Sequence, residues 1–203
     1  MSTEKQLDNL YALQRSRTAK IQNEGINFSI VGGKIDNSTK GLIHPHNDSI
    51  IFFPPSTPLL PGTHLKSESG TEYLVRSASQ QAGRVEADVV TLNAQFDTLL
   101  AHEIVNAGTQ VKRVHYTISA VNIPCRRKGD ELTVSASQAP RPSQLIKMNS
   151  SFYEVQYVLH CKAISYVTIA PVPEPGAKKT ALPKIYGAGP GVEFVSTWRP
   201  TGR

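Results

Sequence analysis

Apolar and polar residues alternate along most of this chain, as they do in strands with one buried face. The clearest runs are Ile26 to Val31 and Val111 to Val121. Shorter predicted strands cover residues 50–53, 65–66, 73–76, 85–90, 132–136, 145–148, 152–160 and 163–170. Residues 34–48 lack the alternation and predict a loop. We therefore expect a mainly β protein.

Two segments follow a helical period instead. Residues 4–23 begin at a capping box, Thr3 with Gln6, and Gly25 is predicted to end the helix through a left-handed cap. The apolar face of this helix is Leu7, Leu10, Tyr11 and Ile21, and its solvent side is Arg15, Arg17 and Lys20. A second helix is predicted between Thr91 and Gly108, with the apolar face Leu92, Phe96, Leu99, Leu100 and Ile104.

An internal repeat organises these elements. The stretch from Pro142 to Val155 resembles the stretch from Pro61 to Val75: proline, a short apolar element ending in lysine, a polar hairpin tip, then Tyr-x-Val. Three further pairs of segments match in the same order, namely 48–52 with 130–134, 28–30 with 116–118, and 7–11 with 92–96. We interpret this order as a tandem duplication.

The repeat sets the expected fold, which is α+β, mainly β with two helices. Residues 1–90 and 91–170 are each expected to form an amphipathic helix followed by a small β-barrel or sandwich domain. Residues 171–203 are expected to form an extended arm rich in proline and glycine. Domains this small bury little core, so each should pack against its twin or against other subunits.

The predicted arm carries three aromatic residues, Tyr186, Phe194 and the single tryptophan, Trp198. An extended segment with apolar anchors suits contact with a neighbouring subunit, and a disordered tail is the alternative interpretation. The glycines of residues 187–191 lack the preceding strand and following helix of a phosphate-binding loop. We therefore expect no nucleotide at this place.

Charge is placed unevenly along the chain. Basic and acidic side chains balance up to residue 91, so the net charge of +6 belongs to the second repeat and the arm. The densest basic cluster is Arg126, Arg127 and Lys128, and Lys112 and Arg113 stand on the strand before it. Such a cluster could bind a nucleic-acid backbone or an acidic neighbour by releasing counterions, whereas a solvated hairpin loop is the alternative.

Candidate chemistry is sparse. His44, His46 and Asp48 are residue types that bind metals, but no second ligand group accompanies them, and the same holds for His160 beside Cys161. Cys125 and Cys161 are interpreted as reduced, partly buried thiols of a cytosolic protein. Without nucleophile-elbow, Walker or zinc-protease motifs, we expect neither a cofactor nor catalysis.

Nothing in the composition predicts a membrane protein. Hydrophobic residues make up 39% of the chain, and no apolar run reaches the length that spans a bilayer. The first residues lack the apolar core of a signal peptide, so we expect a soluble protein with no membrane partner.

A family resemblance rests on the repeated order of elements. Helix, short strands, the strand after Asp48 or Asp130, a proline turn and the Lys-to-Tyr-x-Val hairpin together resemble the small β-barrel head-closure or neck proteins of tailed bacteriophages. The resemblance covers Leu7 to Val90 and Leu92 to Ala170. The tandem pair and the long arm depart from single-barrel members, which leaves neck, tail completion, baseplate and capsid decoration open.

The resemblance implies a virion protein made in the host cytoplasm. It implies a ring of identical subunits below the portal, contacts with other virion proteins through loops and arms, and passing contact with DNA in the channel. It would place Arg126, Arg127 and Lys128 nearest DNA or an acidic neighbour. Two hypotheses follow: a non-enzymatic ring-forming connector, and a soluble nucleic-acid-binding module that uses the basic second half.

Overall fold

The computed structural model describes residues 3–31, 38–105 and 112–175, with side chains for 5–31, 38–101 and 116–175. This part of the chain contains one α-helix and twelve strands, so the mainly β expectation is confirmed. The elements are α1 Thr3–Glu24, β1 Ile26–Val31, β2 Ser38–His44, β3 Asn47–Phe53, β4 His64–Ser67, β5 Glu72–Gln81, β6 Arg84–Leu92, β7 Ala94–Val105, β8 Lys112–Lys128, β9 Glu131–Ser135, β10 Leu145–Met148, β11 Ser151–Cys161 and β12 Ile164–Val172, with a short 3-10 turn at Ala136–Gln138.

The first six strands close into a barrel in the order β1-β2-β3-β6-β5-β4. The ring closes because β4 pairs antiparallel with β1, which places Leu65 opposite Ile30. Closure leaves no strand edge unpaired and turns one side chain in two toward the interior. Phe28 lies at the centre of that interior, edge-on to Phe53 at 5.4 Å and to Tyr73 at 6.0 Å.

The other six strands close in the order β7-β8-β9-β12-β11-β10, which is the same order shifted by six strands. Strand β7 takes the place of β1 because it pairs with β10, with Thr98 opposite Ile146. Phe96, Ile146 and Val167 are buried in this half. The buried phenylalanines Phe28 and Phe96 occupy equivalent positions in the two rings. Each comes one residue before the strand partner of the repeated lysine, since Ser29 pairs with Lys66 and Asp97 pairs with Lys147.

Contacts divide the chain into two compact units that do not coincide with the two barrels. The first unit contains helix α1 and β1 to β6 together with residues 125–139 and 159–166. The second unit contains residues 94–124, 140–158 and those from 167 onward. The sequence-based boundaries at residues 90 and 170 therefore stay a prediction.

The predicted second helix is wrong, because Ala94–Val105 forms strand β7. Its apolar residues at 92, 96, 99, 100 and 104 follow a helical period, but Phe96 and Thr98 alternate with the less buried Gln95 and Asp97. Pairing with β10 closes the barrel, and this tertiary gain overrides the local helical pattern. The match of residues 7–11 with 92–96 fails for the same reason.

The predicted loop over residues 34–48 is also wrong in part, since it contains β2 and the start of β3. Gly41 explains why the sequence reads as a loop there. A Cβ at Gly41 would lie 2.7 Å from the Phe53 ring and 2.8 Å from the Phe28 ring. Glycine is thus the only residue that lets β2 cross the aromatic core, which is a strand role.

Helix α1 is confirmed at nearly the predicted bounds, but two details differ. Gly25 does not adopt the left-handed conformation; it is required because a Cβ would collide with the Ile21 carbonyl oxygen and would lie 3.0 Å from the Gly41 carbonyl oxygen. Arg17 does not face solvent, since its guanidinium donates to the Ala82 carbonyl at 3.1 Å. Thr18 Oγ1 lies 2.9 Å from the Gly83 carbonyl oxygen, and Ile21 is buried.

The two proline turns at the start of the repeated stretches have the same conformation. In the first, Thr63 N–H donates to the Leu60 carbonyl at 3.1 Å and Gly62 has φ of 88°. In the second, Gln144 N–H donates to the Arg141 carbonyl at 3.1 Å and Ser143 has φ of 64°. Proline followed by a residue with positive φ is the signature of a type II turn.

Each turn is also held to the strand behind it by the same pair of hydrogen bonds. Gly62 N–H donates to the Val75 carbonyl and Val75 N–H donates to the Thr63 carbonyl, at 2.8 and 2.9 Å. Ser143 N–H donates to the Val155 carbonyl and Val155 N–H to the Gln144 carbonyl, at 2.7 and 2.9 Å. The match of residues 61–75 with 142–155 therefore extends to individual backbone atoms.

The strand assignment of residues 94–105 predicts the cost of two truncations. Phe96→Ala should lower the free energy of unfolding by about 3–5 kcal/mol, because it leaves a cavity in the barrel interior. Leu100→Ala should cost less than about 1 kcal/mol, since Leu100 is 49% exposed. Denaturant unfolding of both variants measures this difference, and equal large losses would indicate a helix that buries both residues.

The proline turns predict opposite effects of exchanging glycine and serine. Ser143→Gly should stabilise the fold by about 1 kcal/mol, since it relieves a side chain at positive φ. Gly62→Ser should destabilise it by about 1–2 kcal/mol, since its Cβ would lie 3.1 Å from the Ala163 Cβ. Thermal unfolding of the two single variants tests the signs, and equal effects would contradict the account.

Candidate assembly and nucleic-acid surfaces

The predicted basic cluster lies at the end of strand β8 rather than in a loop. Arg126 and Lys128 are both exposed and, being two residues apart on a strand, project to the same face. Arg127 projects to the other face, and its Nε donates to the Gly129 carbonyl at 3.0 Å. Asn93 brackets the Arg127 backbone, accepting its N–H at 2.7 Å and donating to its carbonyl at 3.2 Å.

Acidic residues offset part of this positive charge. Lys128 pairs across the β8–β9 hairpin with Glu131, and Asp130 lies in the turn between them. Lys112 and Arg113 belong to the backbone of β8, but their side chains lie outside the described residues. Of the five predicted basic residues, Arg126 and Lys128 are therefore the ones with described exposed side chains, and they stand beside two carboxylates, a modest footprint for binding a phosphate backbone.

Helix α1 presents a second surface, formed by the first half of its predicted apolar face. Leu7, Leu10 and Tyr11 are 48%, 42% and 56% exposed. They continue the stripe that packs on the barrel through Gln14, Thr18 and Ile21. The sequence contained this signal, because the stripe is apolar in its first two turns and polar at 14 and 18, and Thr18 meets the Gly83 carbonyl group.

Between α1 and the tip of the β5–β6 hairpin lies a groove of about 580 Å³. Its lining mixes apolar and polar groups and includes Gln14, Gln22, Gln80 and Gln81. Helix α1 therefore covers the hairpin tip without filling the space beside it.

The candidate metal residues are engaged in other contacts. His44 packs edge-on to Phe52 at 5.7 Å, and its Nδ1 accepts the His46 backbone N–H at 3.2 Å. The Arg84 guanidinium stacks 3.8 Å above the other side of this aromatic cluster, over the Phe52 ring. Among the residues whose side chains are described, no group of three His, Cys, Asp or Glu could hold a metal ion.

The two cysteines differ in environment, contrary to the expectation that both are partly buried. Cys125 is fully buried, and burial raises the pKa of its thiol to about 12, opposed only in part by nearby Arg127. Cys161 is exposed, and neighbouring His160 instead forms a 2.8 Å hydrogen bond through Nδ1 with buried Ser165. The pair His160 and Cys161 therefore forms no joint site.

The predicted arm contacts Tyr186, Phe194 and Trp198 lie outside the described residues. No helix among the described residues combines the length and the apolar character needed to cross a membrane. Comparison of the chain with protein-family models, with curated proteins and with solved structures finds no match.

Thiol chemistry tests the assignment of the two cysteines. Under native conditions near pH 8, a thiol reagent should modify one group per chain, at Cys161, because Cys125 is buried and protonated. Unfolding in denaturant should release the second thiol. Rapid modification of two thiols in the folded protein would contradict the buried position of Cys125, and Cys161→Ser provides the control with no reactive group.

Proposed function

We propose that this protein is a non-enzymatic structural subunit of a tailed-phage virion. In this proposal it forms a ring at the head–tail junction or a nearby tail position and joins neighbouring subunits through its C-terminal arm. The observation that carries the proposal is the pair of closed six-stranded rings with one strand order, since it agrees with the resemblance to small-barrel neck proteins. A doubled barrel offers two similar surfaces for building a ring.

We further propose that the two rings are tandem domains that arose by duplication. The matched proline turns support this, because duplication explains equal turn types and equal hydrogen bonds together, with one residue fewer at the second hairpin tip. Buried pairs keep one offset of 81 residues: Ile51 with Leu132, Phe53 with Val134 and Leu65 with Ile146. Strand β7 then corresponds to β1 and not to the helix.

Two features support assembly with other copies and with other virion proteins. The exposed helical residues Leu7, Leu10 and Tyr11 are apolar side chains of the kind that become buried at subunit contacts. In the proposal, Tyr186, Phe194 and Trp198 add apolar anchors from the arm, since aromatic residues contribute strongly to binding at interfaces.

The proposed ring predicts a fixed oligomer of the full-length protein. Mass photometry and negative-stain imaging should find one closed species, and Phe194→Ala with Trp198→Ala should shift it toward monomer by about tenfold or more in affinity. Tyr157→Ala, at an aromatic residue 59% exposed on β11, is the matched control and should leave assembly unchanged. A protein that stays monomeric at all concentrations would refute the proposal.

The alternative is a soluble nucleic-acid-binding module, favoured by the shared exposed face of Arg126 and Lys128. If it holds, Arg126→Ala with Lys128→Ala should lower the slope of DNA affinity against salt by about two charges. The pair is preferred to a triple variant because Arg127 holds the turn at Gly129. Arg15→Ala with Arg141→Ala controls for net charge, and no DNA binding by the unmodified protein at low salt excludes this function.

A further inference from the structure

A contact inside the first unit joins a proline turn to a hairpin tip. Gly62, in the first proline turn, lies against Ala163 at the tip of the β11–β12 hairpin: a Cβ at Gly62 would lie 3.1 Å from the Ala163 Cβ and 3.2 Å from its carbonyl oxygen. The Ala163 carbonyl accepts a 2.9 Å hydrogen bond from Ala136 N–H. Turn and tip thus meet closely, and the glycine makes room for the alanine.

The corresponding tip of the first barrel is Ala82–Gly83, between β5 and β6, and helix α1 covers it. A Cβ at Gly83 would lie 2.6 Å from the Gln14 Cα. With the offset of 81 residues, the counterpart of Ala136 is Pro55, which has no N–H to donate. Thr18 Oγ1 lies 2.9 Å from the Gly83 carbonyl oxygen and can supply the donor that Pro55 lacks.

The corresponding turn of the second barrel is Pro142–Ser143, and both residues are exposed. It has the backbone conformation of the docked turn, with φ of 64° at Ser143. In the existing contact the turn carries glycine, Gly62, and the tip carries alanine, Ala163. In the proposed pair this is reversed, because the turn carries Ser143 and the tip carries Gly83. A serine Cβ therefore fits the Gly83 tip in the space that the alanine Cβ fills in the existing contact.

We propose that the Pro142–Ser143 turn of one copy docks on the Ala82–Gly83 tip of a second copy, in place of helix α1. By the geometry of the existing contact, a Cβ at position 143 lies about 3.2 Å from the tip carbonyl oxygen. The Ser143 hydroxyl then reaches the Gly83 carbonyl and replaces Thr18 as its donor. This interface rests on the proposed self-assembly, and the turn and the tip are the two surfaces through which the copies would join.

Such a contact is head-to-tail, because each copy offers one turn and one tip. Repeated contacts of this kind close into a ring when the rotation per copy allows, and otherwise extend as a filament. Each joint between copies would reproduce the contact that already exists between Gly62 and Ala163 within one chain.

Helix α1 is bound to the tip in a way that allows the turn of a second copy to displace it. Its hold on the tip consists of hydrogen bonds from Arg17 and Thr18 beside the open groove, and Ile21 is the buried residue among the helix side chains that the structure describes. Its first half, with Leu7, Leu10 and Tyr11, packs on no part of the described barrel strongly enough to bury them. Displacement also breaks the hydrogen bond from Lys40 Nζ to the Gln22 carbonyl and uncovers Ile21, and it frees an apolar helix for the adjoining copy.

Cysteine cross-linking between two different chains tests the interface directly. In a Cys161→Ser background, one chain carries Gly83→Cys, which also clashes with Gln14 and so favours release of α1, and the other carries Ser143→Cys. The Cβ atoms of the existing contact would lie 3.1 Å apart, and a shift of less than about 1 Å brings them to the separation of about 3.8 Å found in a disulfide, so the mixed chains should form a covalent heterodimer. Replacing Ser143→Cys by Ser150→Cys, at another exposed tip, is the control, and we expect at least about fivefold less product.

A second pair of variants needs no change at Gly83. Arg17→Ala with Thr18→Val should lower the protein concentration of half-assembly by about tenfold, since two hydrogen bonds that hold α1 are lost. Adding Ser143→Trp should reverse this effect, and adding Ser150→Trp should not. If the protein assembles but forms no cross-link and does not respond to changes at Ser143, this interface alone is refuted. If the chains remain monomeric in every experiment, the proposed ring is refuted as well.

Discussion

Closure of the six-stranded rings is the constraint on which the rest of this structure depends. Pairing of β1 with β4 places Phe28 against Phe53 and Tyr73 in one interior, and it gives every strand two neighbours. Domains of this size have little apolar area to bury, and a closed sheet stabilises them further because no strand edge is left unpaired. Gly41 follows from the same constraint, because the β2 backbone must pass over two aromatic rings.

The same closure explains why residues 94–105 form a strand in spite of a helical spacing. Only a strand at this place can pair with β10 and complete the second ring. The first barrel does not need its helix for closure. Helix α1 instead supplies a donor to the Gly83 carbonyl, where the second barrel uses the Ala136 amide and the first has Pro55. Pro55 has no N–H, so the Gly83 carbonyl takes its hydrogen bond from a helix side chain where the Ala163 carbonyl takes one from the backbone.

Much of the fold was predictable because its signals are local. Strands β1 and β10 were predicted at their observed bounds, and the Pro61 and Pro142 turns were matched from sequence, since proline, positive φ and the following lysine lie within a few residues. Strand β2 and strand β7 were missed, because Gly41 and the apolar spacing around Phe96 acquire their meaning only from distant partners. The two hairpin tips could not be predicted as surfaces, since their partners lie far away in sequence.

The central claim is that residues 94–175 build the same closed ring as residues 26–92. Nuclear Overhauser contacts across the closing strand pair test it most directly. The account predicts cross-strand contacts linking residues 97–99 with 145–147, matching those that link residues 28–31 with 64–67 in the first ring. Contacts between residues three apart along 92–104, with none to 145–147, would indicate a helix and contradict it.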